Sequence, residues 1–182
     1  GWGRRVVRGV ANYALRQPGW KITVEPRGIE EKMSLPEGWQ GDGVIARINS
    51  KQLYDELMAF GKPVVNISGI ELKGVDVLRV TSDYRASAEL AVGHFASRGF
   101  CHLAYCGYDK LSYVARHCAA FESAAAEREI SCEVFRPVRK SGNHSWQQTR
   151  EALVDWLKGL PKPVGVFTWG SERGRSILNA CL

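Results

Sequence analysis

The sequence has 182 residues, of which 45% are hydrophobic and 24% are charged, and its formal net charge is +6. This composition is typical of a globular protein with one ordinary domain or two small lobes, and it argues against a disordered chain. No apolar run approaches the roughly 20 residues of a membrane-spanning helix, and no charged-then-apolar leader opens the sequence. We therefore expect a cytoplasmic protein without membrane contacts. Because the chain begins at Gly1 rather than Met, we also expect a fragment.

The first half of the chain alternates helical spacing with short apolar runs. Apolar residues recur at helical spacing over residues 6–14, 53–60 and 88–95. Strands are predicted for residues 20–25, 43–48, 63–68 and 77–80, with a connector over residues 26–42. Asn49 or Ser50 is expected to cap the second helix, and Ser82 or Asp83 the third.

The second half repeats the alternation. Helices are predicted over about residues 113–128, over residues 153–160 and after Ser171, with Ser145 and Gln148 as a capping box. Strands are predicted at residues 102–106, 131–135 and 164–168. Strands alternating with helices of this length indicate an α/β protein with parallel sheets and right-handed crossovers. Two such sets meet near Phe100.

The reactive residue types do not form the patterns of the common enzymes. The five cysteines form no CxxC pair, so buried free thiols are favoured over a disulfide framework. The histidines lack metal-ligand spacing, and no glycine-rich phosphate loop is present. We expect no metal, no cofactor and no enzyme activity. The arginines are scattered through several elements, which argues against direct nucleic-acid contact by this segment.

Several segments, in this order and spacing, resemble the effector-binding domain of lactose-repressor-like transcription regulators, and most closely the regulators of xylose operons. These segments are residues 3–10 (GRRVVRGV), 41–47 (GDGVIAR), 83–94, 98–100 (RGF) and 171–178 (SERGRSIL). The resemblance implies a two-lobed fold of the type I periplasmic-binding-protein kind, with parallel sheets flanked by helices and truncated at both ends. It implies an N-terminal lobe over residues 1–100 and an incomplete C-terminal lobe over residues 101–182.

The resemblance also implies a function. A small, pentose-like carbohydrate would bind between the lobes, and lobe closure would change the DNA affinity of a domain outside this chain. Regulators of this family usually act as homodimers, and no catalytic step is involved.

Sugar recognition requires planar polar groups for the hydroxyls and aromatic faces for the C–H side of the ring. Trp2 starts the first helix and is predicted to stack on a sugar, although an exposed terminal residue would look the same. Arg47 ends an apolar strand, where it either contacts the ligand or forms a salt bridge. Asp83 is expected mainly to cap its helix, with sugar contact as a second role.

The remaining candidate residues lie in the second half. Such regulators often carry a ligand-gripping arginine in the helix after Gly107, and in this chain His117 occupies that position with Arg116 beside it. His117 either contacts the ligand or is satisfied on a helix surface. Trp169 either stacks on the sugar or packs, and Ser171 stands where the family commonly has Asp or Asn.

Two other functions remain open at this stage. A transport-type periplasmic sugar receptor would share the fold but be exported. An enzyme of the same layered class would use Asp83 and His117 as acid and base.

Overall fold

The computed structural model describes residues 2–25, 35, 37–107, 111–136 and 146–182. The chain divides into two compact units, Gly1–Gln40 and Gly41–Leu182. The predicted connector at residues 26–42 lies largely outside the described residues, and so does Ser145 of the predicted capping box.

The first unit contains the predicted N-terminal helix, α1 (Trp2–Ala14). The Tyr13 ring stands edge-on to Trp20, with 5.3 Å between the ring centroids. The strand predicted for residues 20–25 is wrong, because these residues form no strand. A strand needs a neighbouring backbone that exchanges hydrogen bonds with it, and the described part of this unit supplies none.

The second unit opens with a small parallel sheet. It contains β1 (Val44–Ala46), α2 (Lys51–Ala59) and β2 (Val64–Asn66), and Val44 pairs with Val64. Ser50 caps α2 as predicted, since its hydroxyl accepts a hydrogen bond from Leu53 N at 3.2 Å. Both strands are shorter than the apolar runs that predicted them.

The strand predicted for residues 77–80 is reduced to one parallel bridge between Asn66 and Arg79. Two hydrogen bonds hold it: Asn66 N donates to Leu78 O at 2.8 Å, and Val80 N donates to Asn66 O at 2.9 Å. Because β2 ends at Asn66, residues 77–80 pair with β2 at that residue alone.

A second parallel sheet follows, with helices between its strands. Its elements are α3 (Tyr84–Ala96), β3 (His102–Cys106), α4 (Ser112–Ala126), β4 (Ser131–Val134), α5 (Trp146–Gly159), β5 (Gly165–Thr168) and α6 (Ser171–Ala180). The strand order is β4-β3-β5, and both pairings are parallel. This confirms the α/β class and the parallel sheets. No helix in the described ranges combines the length and apolar character that crossing a membrane requires.

Strand β3 is buried on both faces. Leu103 and Tyr105 belong to one core with residues of α3 and α4, whereas Ala104 and Cys106 belong to another with residues of α5 and α6. The alternation follows from the period of two in a strand. The central strand therefore fixes helices on both sides of the sheet.

Helix α3 packs on the second sheet rather than on the first. Ala88 and Val92 are completely buried in the core that Leu103, Tyr105 and Phe121 share. A lobe boundary after residue 100 stays a prediction.

Asp83 is the N-cap of α3, as predicted. Its side chain accepts a hydrogen bond from Ala86 N at 2.9 Å. We expect Asp83→Ala to lower the free energy of unfolding by about 1 kcal/mol and Asp83→Asn to retain most of it, because Asn also caps. Urea unfolding of the three proteins measures this. Equal stability of Asp83→Ala and the parent would contradict the capping role.

Gly165 lies where a side chain has no room. A Cβ there would stand 2.6 Å from Phe95 Cδ1 and 2.9 Å from Leu103 Cδ2. We expect Gly165→Ala to destabilise the protein by about 1–3 kcal/mol through overpacking. Gly93→Ala is the matched control: its Cβ meets nothing within 4 Å, and alanine favours a helix. Thermal unfolding should rank Gly165→Ala below the parent and Gly93→Ala at or above it; the reverse order would refute the close packing.

Candidate functional site

Five side chains meet at the carboxyl ends of β3 and β5, and we call them the aromatic–arginine cluster. They come from the first turn of α3, the first two turns of α4 and the residue after β5: Tyr84, Tyr113, Arg116, His117 and Trp169. Open α/β proteins bind small molecules at this edge of a parallel sheet. The cluster is therefore the candidate ligand site.

The aromatic members of the cluster are arranged around Trp169. The His117 ring stands at 80° to Trp169 with 5.0 Å between centroids, and the Tyr113 ring lies 5.1 Å from Trp169. Tyr84 completes the group at 6.0 Å from His117. The two contacts of His117 are edge-to-face and that of Tyr113 is tilted; such contacts are favourable for aromatic pairs and hold the rings in fixed orientations.

Arg116 connects α4 with the loop that follows β2. Its Nη2 donates to Gly69 O at 2.9 Å, and its Nη1 forms an ion pair with Glu71. The guanidinium lies over the Tyr84 ring, 5.7 Å from the centroid, within cation–π range. The loop after the first sheet is thereby tied to a helix of the second.

Gly69 allows that loop to approach the cluster closely. A Cβ at Gly69 would lie 3.0 Å from Tyr113 Cβ and 3.1 Å from Tyr84 Oη. Any larger residue would have to displace the tyrosine rings or the loop.

His117 is buried and shares a hydrogen bond with Tyr105, with 2.8 Å between Nδ1 and the hydroxyl oxygen. Burial lowers the pKa of His117 and raises the pKa of Tyr105, because each charged form would lose its hydration. Both groups are neutral in the folded protein near pH 7, so they can exchange hydrogen bonds but carry no charge.

A shallow depression lies beside the cluster, with a volume of about 260 Å³. It is lined by Leu111, Tyr113, Trp169, Gly170, Ser171, Glu172 and Arg173. Small-molecule sites begin near about 300 Å³, so the depression suits a small polar ligand rather than a large one. Across the described ranges no three His, Cys, Asp or Glu side chains gather as metal ligands would.

Ser171 lines this depression but does not cap α6. The N-cap is Gly170, at φ 108° and with no side-chain hydrogen bond, so the predicted cap at Ser171 is wrong. The turn from β5 into α6 needs a positive φ, which glycine adopts at little cost. The capping position therefore falls one residue earlier, and Ser171 is the first helical residue.

The other predicted site residues are not members of the aromatic–arginine cluster. Asp83 is exposed and uses its carboxylate to cap α3, next to Tyr84 of the cluster. Arg47 follows β1 and is exposed. Trp2 is the first residue of α1 in the first unit, with 46% exposure. Ligand contacts by these three residues stay predictions, whereas Arg116, His117 and Trp169 are brought together.

Sequence reasoning missed Tyr84, Tyr113 and Glu71. Tyr113 stands four residues before His117, a spacing that puts both side chains on one helical face, and this signal was available. Glu71 lies in a loop, and its pairing with α4 depends on tertiary structure that no local pattern reports.

Comparison with known proteins identifies the family. The family model of the periplasmic binding protein-like domain matches residues 92–182, half of the chain, and the protein belongs to this family. The xylose operon regulatory protein of Escherichia coli strain K12 is 28% identical over 185 residues, covering 98% of this chain and 47% of that protein. This chain thus spans about half the length of that relative.

Solved structures with low sequence identity share the fold. A LacI family transcriptional regulator from Arthrobacter sp. FB24, in complex with lactose, has a TM-score of 0.56 and 20% identity, covering 78% of this chain and 50% of that chain. A LacI family regulator from Enterococcus faecium with bound ribose has a TM-score of 0.55 and 19% identity, covering 76% and 52%.

The lowered pKa of His117 predicts a pH dependence of stability. The unfolded chain binds a proton at this residue near pH 6.5, while the buried ring resists it. The free energy of unfolding should therefore fall as the pH drops from about 7.5 to about 5.5, and His117→Gln should remove part of that fall. Urea unfolding at both pH values, with the exposed His94→Gln as control, measures it. An unchanged pH dependence in His117→Gln would contradict the burial of a neutral ring.

Proposed function

We propose that this chain is the sensing part of a sugar-responsive transcription regulator. A small carbohydrate binds at the aromatic–arginine cluster and the adjoining depression. Binding changes the DNA affinity of a part of the protein outside residues 1–182. One contact carries the proposal. Arg116 of α4, which lies within a group of aromatic rings beside the second sheet, contacts the loop that follows β2 of the first sheet.

The chemistry of the cluster suits a sugar. Tyr113 and Trp169 offer ring faces to the apolar C–H side, and Arg116 and His117 offer nitrogen donors to hydroxyl oxygens. The Ser171 hydroxyl lies on the wall of the same depression and can both donate and accept. This combination of flat apolar surface and convergent polar groups is typical of carbohydrate sites.

The contact between Arg116 and the loop after β2 supplies a route for signalling. The Glu71 carboxylate bonds to Arg116 and lies 3.5 Å from Arg79 Nη1 beside the first sheet. A sugar hydroxyl can compete with the loop for Arg116, or it can add a hydrogen bond to the same groups. In the first case it favours separation of the loop from α4, and in the second case it favours their contact. Such a difference in affinity between two arrangements is what an effector needs to shift their populations.

The relatives support this assignment. The name of the Escherichia coli relative describes a regulator of a xylose operon, and the two solved neighbours carry ribose and lactose. We accordingly propose a pentose-like effector, a homodimeric regulator and a cytoplasmic location, and we propose no catalytic step.

Titration calorimetry of the intact protein with xylose, ribose, arabinose and lactose tests the proposal. We expect saturable binding of at least one sugar without turnover. Trp169→Ala should weaken it about tenfold or more by removing a stacking surface. Trp156→Ala is the matched control, because Trp156 packs on Phe135 in the other core of the second sheet, 5.1 Å between centroids. Equal affinity of Trp169→Ala and the parent would contradict the site.

The regulatory half of the proposal needs its own readout. In a gel-shift assay of the intact protein with DNA from upstream of its own gene, addition of the sugar should change the fraction of DNA that is retarded. Sugar binding that leaves DNA binding unaltered would favour a transport-type receptor, and sugar turnover would favour an enzyme.

A further inference from the structure

The hydrogen bond between Tyr105 and His117 lies inside an aromatic core. Tyr105 is 1% exposed and His117 is 6% exposed. The Tyr105 ring lies 6.0 Å from Phe121 and 6.2 Å from Phe167, and the His117 ring lies 4.9 Å from Phe167. The Tyr105 hydroxyl is therefore surrounded largely by hydrocarbon, where an unpaired hydroxyl is unfavourable.

The position of the shared proton follows from what each group can do. The Tyr105 hydroxyl has one hydrogen, and the acceptor that the described part of the chain offers it is His117 Nδ1 at 2.8 Å. If His117 Nδ1 carried the proton, it would donate to the hydroxyl oxygen and leave the hydroxyl hydrogen without an acceptor. Satisfying the buried hydroxyl requires that Tyr105 donates to Nδ1, which puts the ring proton on Nε2.

We propose that Tyr105 is a positioning residue that fixes His117 as the Nε2–H tautomer, and that His117 determines specificity by donating one hydrogen bond to an uncharged effector oxygen. This inference rests on the proposed function. Nδ1 is engaged with β3 through Tyr105, so Nε2 is the ring nitrogen that remains for the effector.

A single neutral donor selects differently from a guanidinium. His117 makes one directional bond to an oxygen lone pair, and it adds no charge that would attract a phosphate or a carboxylate. The cation beside it, Arg116, is already paired with Glu71, and Glu172 lines the depression next to Arg173. At both places a carboxylate stands beside the arginine, so neither arginine offers an anionic ligand an unbalanced positive charge, and the site favours neutral sugars over sugar phosphates and sugar acids.

Nitrogen NMR of the histidine rings in the ligand-free protein tests the tautomer directly. We expect His117 to show a proton on Nε2 and a bare Nδ1 that shifts when the hydroxyl is removed in Tyr105→Phe. The fraction of the Nε2–H form should drop in that variant, because the hydroxyl that holds Nδ1 as an acceptor is then gone. The matched control is Tyr54→Phe, which deletes a hydroxyl of α2 bonded to Asp76 O at 3.4 Å and should leave the His117 signals unchanged. A parent protein with the proton on Nδ1 would overturn the inference.

Sugar affinity supplies the second readout. Tyr105→Phe should weaken binding of the best neutral sugar about three- to tenfold, the effect of one neutral hydrogen bond, while Tyr54→Phe binds as the parent does. The 5-phosphate of the same sugar should bind the parent more weakly than the free sugar. Sugar binding with unchanged affinity in Tyr105→Phe, or tighter binding of the phosphate, would overturn the inference and leave the proposed function standing. If no carbohydrate binds the parent, the proposed function fails instead, and the NMR result still reports the tautomer.

Discussion

The burial of β3 on both faces is the constraint on which the second unit depends. Its alternating side chains belong to two separate cores, so α3 and α4 are held on one side and α5 and α6 on the other. The same strand places the Tyr105 ring inside the first core and its hydroxyl at His117. A residue that stabilises the fold thus also sets the chemistry of the candidate site, and the two roles are difficult to separate by large substitutions.

The sequence predicted the elements with strong local signals. Helical spacing and a capping side chain correctly predicted α2 behind Ser50 and α3 behind Asp83, and short apolar runs predicted all five strands of the described residues. Predictions failed where structure depends on a partner. Residues 20–25 have strand-like composition but no neighbouring strand among the residues that the structure describes. The cap of α6 lies at Gly170 because the turn requires a positive φ.

The candidate site was predictable only in part. Family resemblance and chain order pointed to His117 and Trp169, and in the structure the centroids of their rings are 5.0 Å apart. The contribution of Glu71 and Gly69 depends on how the loop after β2 meets α4, which no local pattern encodes. Tyr105 looked like an ordinary buried strand residue, and its role becomes visible only when the partner of its hydroxyl is known.

The central claim is that a small carbohydrate binds at the aromatic–arginine cluster and bonds to Arg116, the residue that contacts the loop after β2. A crystal structure of the intact protein with its best-binding sugar tests this most directly. We predict a sugar ring against Trp169 or Tyr113, with oxygens in hydrogen-bond distance of Arg116 and of His117 Nε2. A sugar bound elsewhere, with the side chains of the cluster in unchanged positions, would contradict this claim.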